Sequence, residues 1–223
     1  MSSDGRTKLR CIDDFAESLV NGLCRIGRRI RMGRVSDALA SARTLAAAWP
    51  SEDVLLCKSD FKAAYRGCPI RSEHLDFARI VLEDPESGKT REATQWAMPF
   101  GAVAAVYAWD RVGEAITAIV SELLLIPLSR YVDDIFGPLF GTGAREARSL
   151  MVELVSLLGF VLEESKTPQP ASEQVILGTN LSIGRKVRRG QASFSAEIRV
   201  DERKAELWLG IIREALRTGW EQG

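Results

Sequence analysis

The chain has a single histidine, His74, and only four cysteines, Cys11, Cys24, Cys57 and Cys68. The cysteines stand 13, 33 and 11 residues apart, with no Cys-x-x-Cys pair. That scarcity argues against a zinc site and against a disulfide framework, so the cysteines read as reduced, intracellular thiols. Net charge is also lacking, because thirty basic residues balance thirty acidic ones. Overall charge therefore points to no polyanionic partner, and only local patches can do so. The N-terminal "MSSDGRTKLR" has no apolar signal core. The longest apolar run, residues 115–128, includes Ser121 and Glu122 and is too short to cross a bilayer. The expectation is a soluble protein of the cytoplasm or nucleus, without membrane association. Repeats, low-complexity tracts and linkers are absent too. What remains is 223 residues, 46% hydrophobic and 27% charged, enough for one large domain with a buried core.

What is present is an alternation of strand-like and helix-like segments. Residues 36–49 read as a helix with Ser36 as N-cap, stopped by Pro50. "DVLLCKSDF" (53–61) is an apolar run of strand length. "FARIVLED" (77–84) and "REATQWAM" (91–98) flank the turn signal "PESGK" and read as a hairpin. Residues 101–125 read as a long buried helix. "LLLIPLSRYV" and "IFGPLF" form a second hairpin pattern around Asp133 and Asp134. Residues 144–158 place Ala147, Leu150, Met151, Leu154 and Leu158 on one helical face. "GFVLE" and "QVILGTNLSI" are strand-like, "GRKVRRGQ" (184–191) reads as a basic turn, and "ASFSAEIRV" as a strand. Residues 201–218 read as a helix with Asp201 as N-cap and Ala205, Trp208, Ile212 and Leu216 on one face. This order is α+β, an antiparallel sheet backed by helices.

Two adjacent aspartates inside the apolar stretch "SRYVDDIFG" are a liability unless something offsets their charge. Asp60 has a similar setting at the end of an apolar strand. Carboxylates at strand ends can converge above a sheet, and three within a few ångströms stay ionised only if cations neutralise them. Hard oxygen donors of this kind suit Mg²⁺. Two such ions about 4 Å apart would clamp both oxygens of a phosphoryl transfer. Taken singly, each site also has a plainer reading. Asp tolerates turns and bonds its own backbone, and Asp60 could simply end a strand.

The ordered set of motifs resembles the reverse transcriptases. "YVDD" (131–134) is similar to their Tyr-x-Asp-Asp signature. "SDFKAAYRGCPI" (59–70) resembles the first palm motif, "AMPFGAVAAVYAW" (97–109) the Pro-x-Gly segment that opens the next helix, and "GFVLEESKT" (159–167) the motif carrying a Lys. "VILGTNLSI" (175–183) resembles the Leu-Gly primer-grip hairpin, and "KLRCIDDF" (8–15) the fingers segment. The "MPFG" and "ILG" elements look more like long-terminal-repeat or tyrosine-recombinase retroelements than bacterial or non-long-terminal-repeat enzymes.

The resemblance implies an RNA-directed DNA polymerase palm with a ferredoxin-like core. It divides the chain into a partial fingers segment (1–50), a palm (51–183), and the end of the palm hairpin with the start of a thumb-like helix (184–223). It implies two Mg²⁺ ions, or Mn²⁺, held by Asp60, Asp133 and the carbonyl of Phe61, with Asp134 as a further ligand or electrostatic support. Lys166 is implied as general acid. Lys8, Arg10, Tyr65, Phe100 and Gly101 are implied to bind the incoming nucleotide, with Tyr65 excluding a ribose 2′-hydroxyl. Tyr131, Val132, Leu177 and Gly178 are implied to meet primer or template. The partners implied are an RNA or DNA template with its primer, dNTP, and missing thumb or ribonuclease H domains or a partner chain. The arginines of 25–34 and 185–189 are further candidates for phosphate contact. The alternative expectation is an inactive retroelement remnant that binds nucleic acid or protein.

Overall fold

The structure, a computed structural model, describes residues 13–15, 19–25, 27, 29–188, 191–200 and 202–218. Its centre is a three-stranded antiparallel sheet in the order β1 (Val54–Asp60), β5 (Asp134–Phe140), β4 (Ser129–Tyr131). Residues 161–163 run along the free edge of β1. Leu162 bridges Phe61, Lys62 N–H donates to the Val161 carbonyl at 2.8 Å, and Glu163 N–H donates to the Asp60 carbonyl at 2.8 Å. The "GFVLE" segment is thus an edge bridge and not the strand expected of it.

β5 is buried along almost its whole length because both sheet faces are covered. That is why "IFGPLF" is continuously apolar instead of alternating. On one face Ile135 and Phe61 meet Trp109, Ile116 and Val120 of α3 (Val103–Leu124) and Met151 and Val155 of α4 (Ala144–Leu157). On the other, Phe136 and Leu56 meet Ala38 and Ala42 of α2 (Val35–Ala48) and Ile176, Leu181 and Ile183 of a second sheet. Pro138 is tolerated inside β5 because its partner Leu56 spends both backbone groups on Ala171 and asks Pro138 for no donor.

The second sheet is β6 (Glu173–Ile176), β7 (Thr179–Arg188) and β8 (Gln191–Val200). β6 and β7 are joined by the two residues Leu177 and Gly178, with φ +50° and +72°. Positive φ at both positions matches the right-handed twist of a hairpin and explains the glycine. β7 continues to Arg188 and β8 begins at Gln191, so residues 184–188 and 191 of the expected basic turn are strand; residues 189 and 190 lie outside the described residues. β2 (Arg79–Glu83) and β3 (Thr90–Thr94) form the expected separate hairpin.

α2 begins one residue earlier than expected. Ser36 is not its cap; the Asp37 carboxylate accepts from Arg34 N–H at 2.7 Å. On α4 the expected face holds except at one residue: Met151 is buried and Ala147, Leu154 and Leu158 pack against the cores, but Leu150 is 51% exposed, and Ala144 and Val155 complete the buried stripe. Arg148 lies in that stripe and donates to the carbonyls of Thr167 and Pro168, which docks the loop after residue 166. α1 (Val20–Leu23) carries Asn21, whose Oδ1 accepts from Val103 N–H at 2.8 Å and caps α3 from a distant segment. α5 (Glu202–Thr218) leaves Trp208, Ile212 and Leu216 exposed; its expected cap, Asp201, lies outside the described residues. No described helix is long and apolar enough to cross a membrane.

Candidate metal centre

The antiparallel register brings the end of β1 against the start of β5, so Asp60 and Asp134 are direct cross-strand partners. The β4–β5 turn consists of Val132 and Asp133, which hangs the third carboxylate over the same corner. Phe61 N–H donates to the Asp133 carbonyl at 2.8 Å and ties the turn to β1. One carboxylate oxygen of each of Asp60, Asp133 and Asp134 lies within 4.8 Å of the other two. Asp60 is buried, at 8% exposure, and the other two are half-buried. Burial, then Asp133 and Asp60, push the Asp134 carboxyl above its usual pKa. The repulsion that raises it is what a divalent cation would relieve, and all-carboxylate donors suit Mg²⁺ or Mn²⁺.

Lys166 follows the 161–163 edge segment, in the turn Glu164–Lys166. Its Nζ donates to Asp60 Oδ2 at 2.8 Å. That bond, reinforced by the charges of Asp60, Asp133 and Asp134, raises the lysine's pKa. The ammonium therefore neutralises part of the carboxylate cluster.

Tyr65 lies in the turn Ala64–Gly67, entered through Ala63 at φ +54°. Its ring meets Phe100 edge-on at 5.5 Å and leans on Trp109 at 6.3 Å. Burial, and then the negative charge of Asp133, raise the Tyr65 pKa. Phe100 leads into Gly101, at φ +117°. Tyr131, Leu177 and Gly178 line one groove of about 440 Å³ with Lys58, Asp134 and Ile176. Val132 is different: its side chain packs into the core and its carbonyl is taken by Trp109 and Arg130. The Phe61 ring is buried edge-on to Trp109 at 5.1 Å. Lys8 and Arg10 lie outside the described residues. Arg185 faces the α2–β1 connection, donating to the carbonyls of Trp49 and Glu52, and so is engaged within the chain.

Several neighbours of the site escaped the sequence reading. Arg130 and Asp110 form an ion pair, 7% and 4% exposed. Trp109 Nε1 donates to the Val132 carbonyl at 2.8 Å, and Met32 Sδ accepts from Val132 N–H. Arg130 had one legible signal, a charge next to the apolar Tyr131–Val132 pair and just before the double aspartate. Met32 had none.

No protein-family model matches the chain, and no curated protein matches it. Solved structures do. A foamy viral protease-reverse transcriptase in complex with double-stranded DNA aligns with a TM-score of 0.53 at 16% identity, over 77% of this chain and 26% of that one. A foamy viral protease-reverse transcriptase in complex with an RNA/DNA hybrid aligns with a TM-score of 0.42 at 19% identity, over 56% of this chain and 16% of that one. The first likeness supports a reverse-transcriptase-like fold. The chain spans about a quarter of that structure's length.

Proposed function

We propose that this chain is the palm of an RNA-directed DNA polymerase, which extends a primer 3′-hydroxyl with deoxynucleotides by two-metal phosphoryl transfer. The observation that carries the reading is the meeting of Asp60, Asp133 and Asp134 within 4.8 Å at one sheet corner. The strand order supports it: edge segment 161–163, β1, β5, β4, with α3 and α4 as the two crossings, is that of a ferredoxin-like split βαβ.

Asp60 and Asp133 would hold the cations, with Asp134 completing the charge and the Phe61 carbonyl as a further donor. Bound divalent ions supply charge stabilisation to the attacking and leaving oxygens. Lys166, charged and bonded to Asp60, would donate a proton to the leaving pyrophosphate. Tyr65, stiffened by Phe100 and Trp109, would close the space beside the sugar 2′ position. The groove lined by Tyr131, Leu177 and Gly178 would take the primer end.

The test is primer extension on an RNA template with dNTPs and Mg²⁺ or Mn²⁺. Extension that Asp133→Ala abolishes supports the reading. No extension by the chain, alone or fused to a reverse-transcriptase thumb, overturns it. A second reading, a non-catalytic nucleic-acid or protein-binding module, draws on two observations. Lys166 offsets part of the carboxylate charge without a metal ion, and α5 exposes apolar side chains. Binding of an RNA/DNA hybrid without Mn²⁺ binding would favour that alternative.

A further inference from the structure

We infer that Arg130, held by Asp110, is a positioning residue that keeps the Val132–Asp133 turn in the one conformation where the three aspartates meet. The inference rests on the metal-site reading above. Val132 sits at φ +52°. A β-branched residue rarely adopts the left-handed region, and a two-residue hairpin turn that begins with positive φ ordinarily takes glycine there. Left to its own preference, Val132 would open this turn and carry Asp133 away from Asp60.

The bonds that oppose this converge on Val132 itself. Arg130 Nη1 donates to the Val132 carbonyl at 2.7 Å, and Trp109 Nε1 donates to the same oxygen at 2.8 Å. Met32 Sδ accepts from Val132 N–H at 3.4 Å. The next carbonyl, of Asp133, is taken by Phe61 N–H. Arg130 can do this because its other terminal nitrogen is anchored. Nη2 donates to the Asp110 carboxylate and, at 3.0 Å, to the Asp110 carbonyl. A planar guanidinium serves both ends at once, whereas a lysine ammonium on a flexible stem could not bridge them in fixed geometry.

Two glycines show that space was kept for this arrangement. A Cβ on Gly113, one turn along α3 from Asp110, would lie 3.1 Å from the Arg130 side chain. Glycine inside a helix weakens it, and here it leaves room for the guanidinium. A Cβ on Gly33 would lie 2.9 Å from the Arg130 backbone nitrogen and oxygen. Gly33 N–H donates to that oxygen at 2.6 Å.

The experiment compares wild type, Arg130→Met/Asp110→Leu, and the same double variant with Val132→Gly, all in the full chain. Removing both charges together avoids a lone buried ion. Arg130→Lys, which leaves Asp110 neutralised, answers the same question if the double variant does not fold. Two quantities are read: Mn²⁺ affinity by titration, and amide hydrogen exchange across residues 131–134. The Arg130 variants should lose Mn²⁺ affinity roughly 10–100-fold, the usual loss for outer-shell partners, and the turn amides should exchange faster. Val132→Gly should bring both back toward wild type, because glycine adopts the turn unaided. Unchanged affinity and exchange in the Arg130 variants, or no recovery with Val132→Gly, overturns the positioning role. Wild type that binds no Mn²⁺ overturns the metal-site reading instead, and hydrogen exchange then still decides the role of Arg130.

Discussion

Asp60 and Asp134 are register partners across β1 and β5, two like charges placed directly opposite in an antiparallel pair. Such a pair destabilises a sheet unless a cation lies between or beside the charges. Lys166 lies beside Asp60 and offsets only part of this repulsion, so the metal-free fold carries a cost. Asp134→Asn should therefore raise the melting temperature in metal-free buffer by about 2–4 °C, the shift that ~1 kcal/mol makes in a chain of this size. With saturating Mg²⁺ the order should reverse, because only wild type gains the full binding linkage, ~2.7 kcal/mol at a hundredfold excess over Kd. Paired thermal melts check this.

The raised pKa of Asp134 sets a pH dependence. A carboxyl whose folded pKa lies above its unfolded value contributes stability that is fully present below the unfolded pKa. That contribution is lost as pH rises through the folded pKa. Cation binding needs the ionised form and moves the opposite way. On acidification, Mn²⁺ affinity should begin to fall above the ordinary carboxylate range, while metal-free stability gains from the same protonation. Mn²⁺ titrations across pH check it, and Asp134→Asn should remove this first step of the profile.

Lys166 competes with a divalent cation for Asp60 through its 2.8 Å bond. Lys166→Met should tighten Mn²⁺ binding. At saturating cation it should nevertheless slow extension by ~10²–10⁴, the range for loss of a general acid. The contribution of the pair to stability is modest, because the lysine side chain is 48% exposed and solvent screens it. It is present below the ordinary lysine pKa and disappears only as pH rises through the raised one.

Tyr65 is braced by Phe100 and Trp109, so its ring cannot easily swing aside. Tyr65→Val should relax sugar discrimination by on the order of 10²-fold, measured as the ratio of kcat/KM for dNTP over NTP. It should leave dNTP use largely intact.

Gly137 closes the "VDDIFG" stretch, and a Cβ there would lie 2.4 Å from the Pro127 carbonyl oxygen. That oxygen belongs to the backbone leading into β4. Gly137→Ala must push the segment leading into β4 away from β5 and should cost ~1–3 kcal/mol, as overpacking does. Denaturant melts give the loss, and Mn²⁺ affinity should fall with it.

Much of this fold is legible along the chain because its periodicities are local. The unbroken apolar run of β5, the Ala- and Val-rich run of α3 with few breakers and the turn signals between β2 and β3 each declare an element from a few adjacent residues. The misreadings occurred where a long-range partner decided. Leu150 fits the helical spacing of α4 as well as Val155 does, but only Val155 meets the core, and Leu150 is left exposed. Ser36 is a sound cap by residue type, yet Asp37 bonds the backbone of Arg34 instead. "GFVLE" has a strand's composition, but only a few of its backbone groups pair, and with an edge.

The candidate site divides in the same way. By itself the sequence marked out the candidate site residues: Asp60 at the end of an apolar run, Asp133 and Asp134 between two apolar runs, Tyr65 and Lys166 in motif order. Their types and spacing are local facts. Only the tertiary structure decided that they meet. The β1–β5 register sets Asp60 opposite Asp134, and the edge segment brings Lys166 to Asp60. A buried arginine from β4, anchored on α3, holds a valine in a backbone conformation it would not choose. No spacing rule encodes that last relationship, because its energy lies in hydrogen bonds between residues that become neighbours only once the sheet and helix have packed.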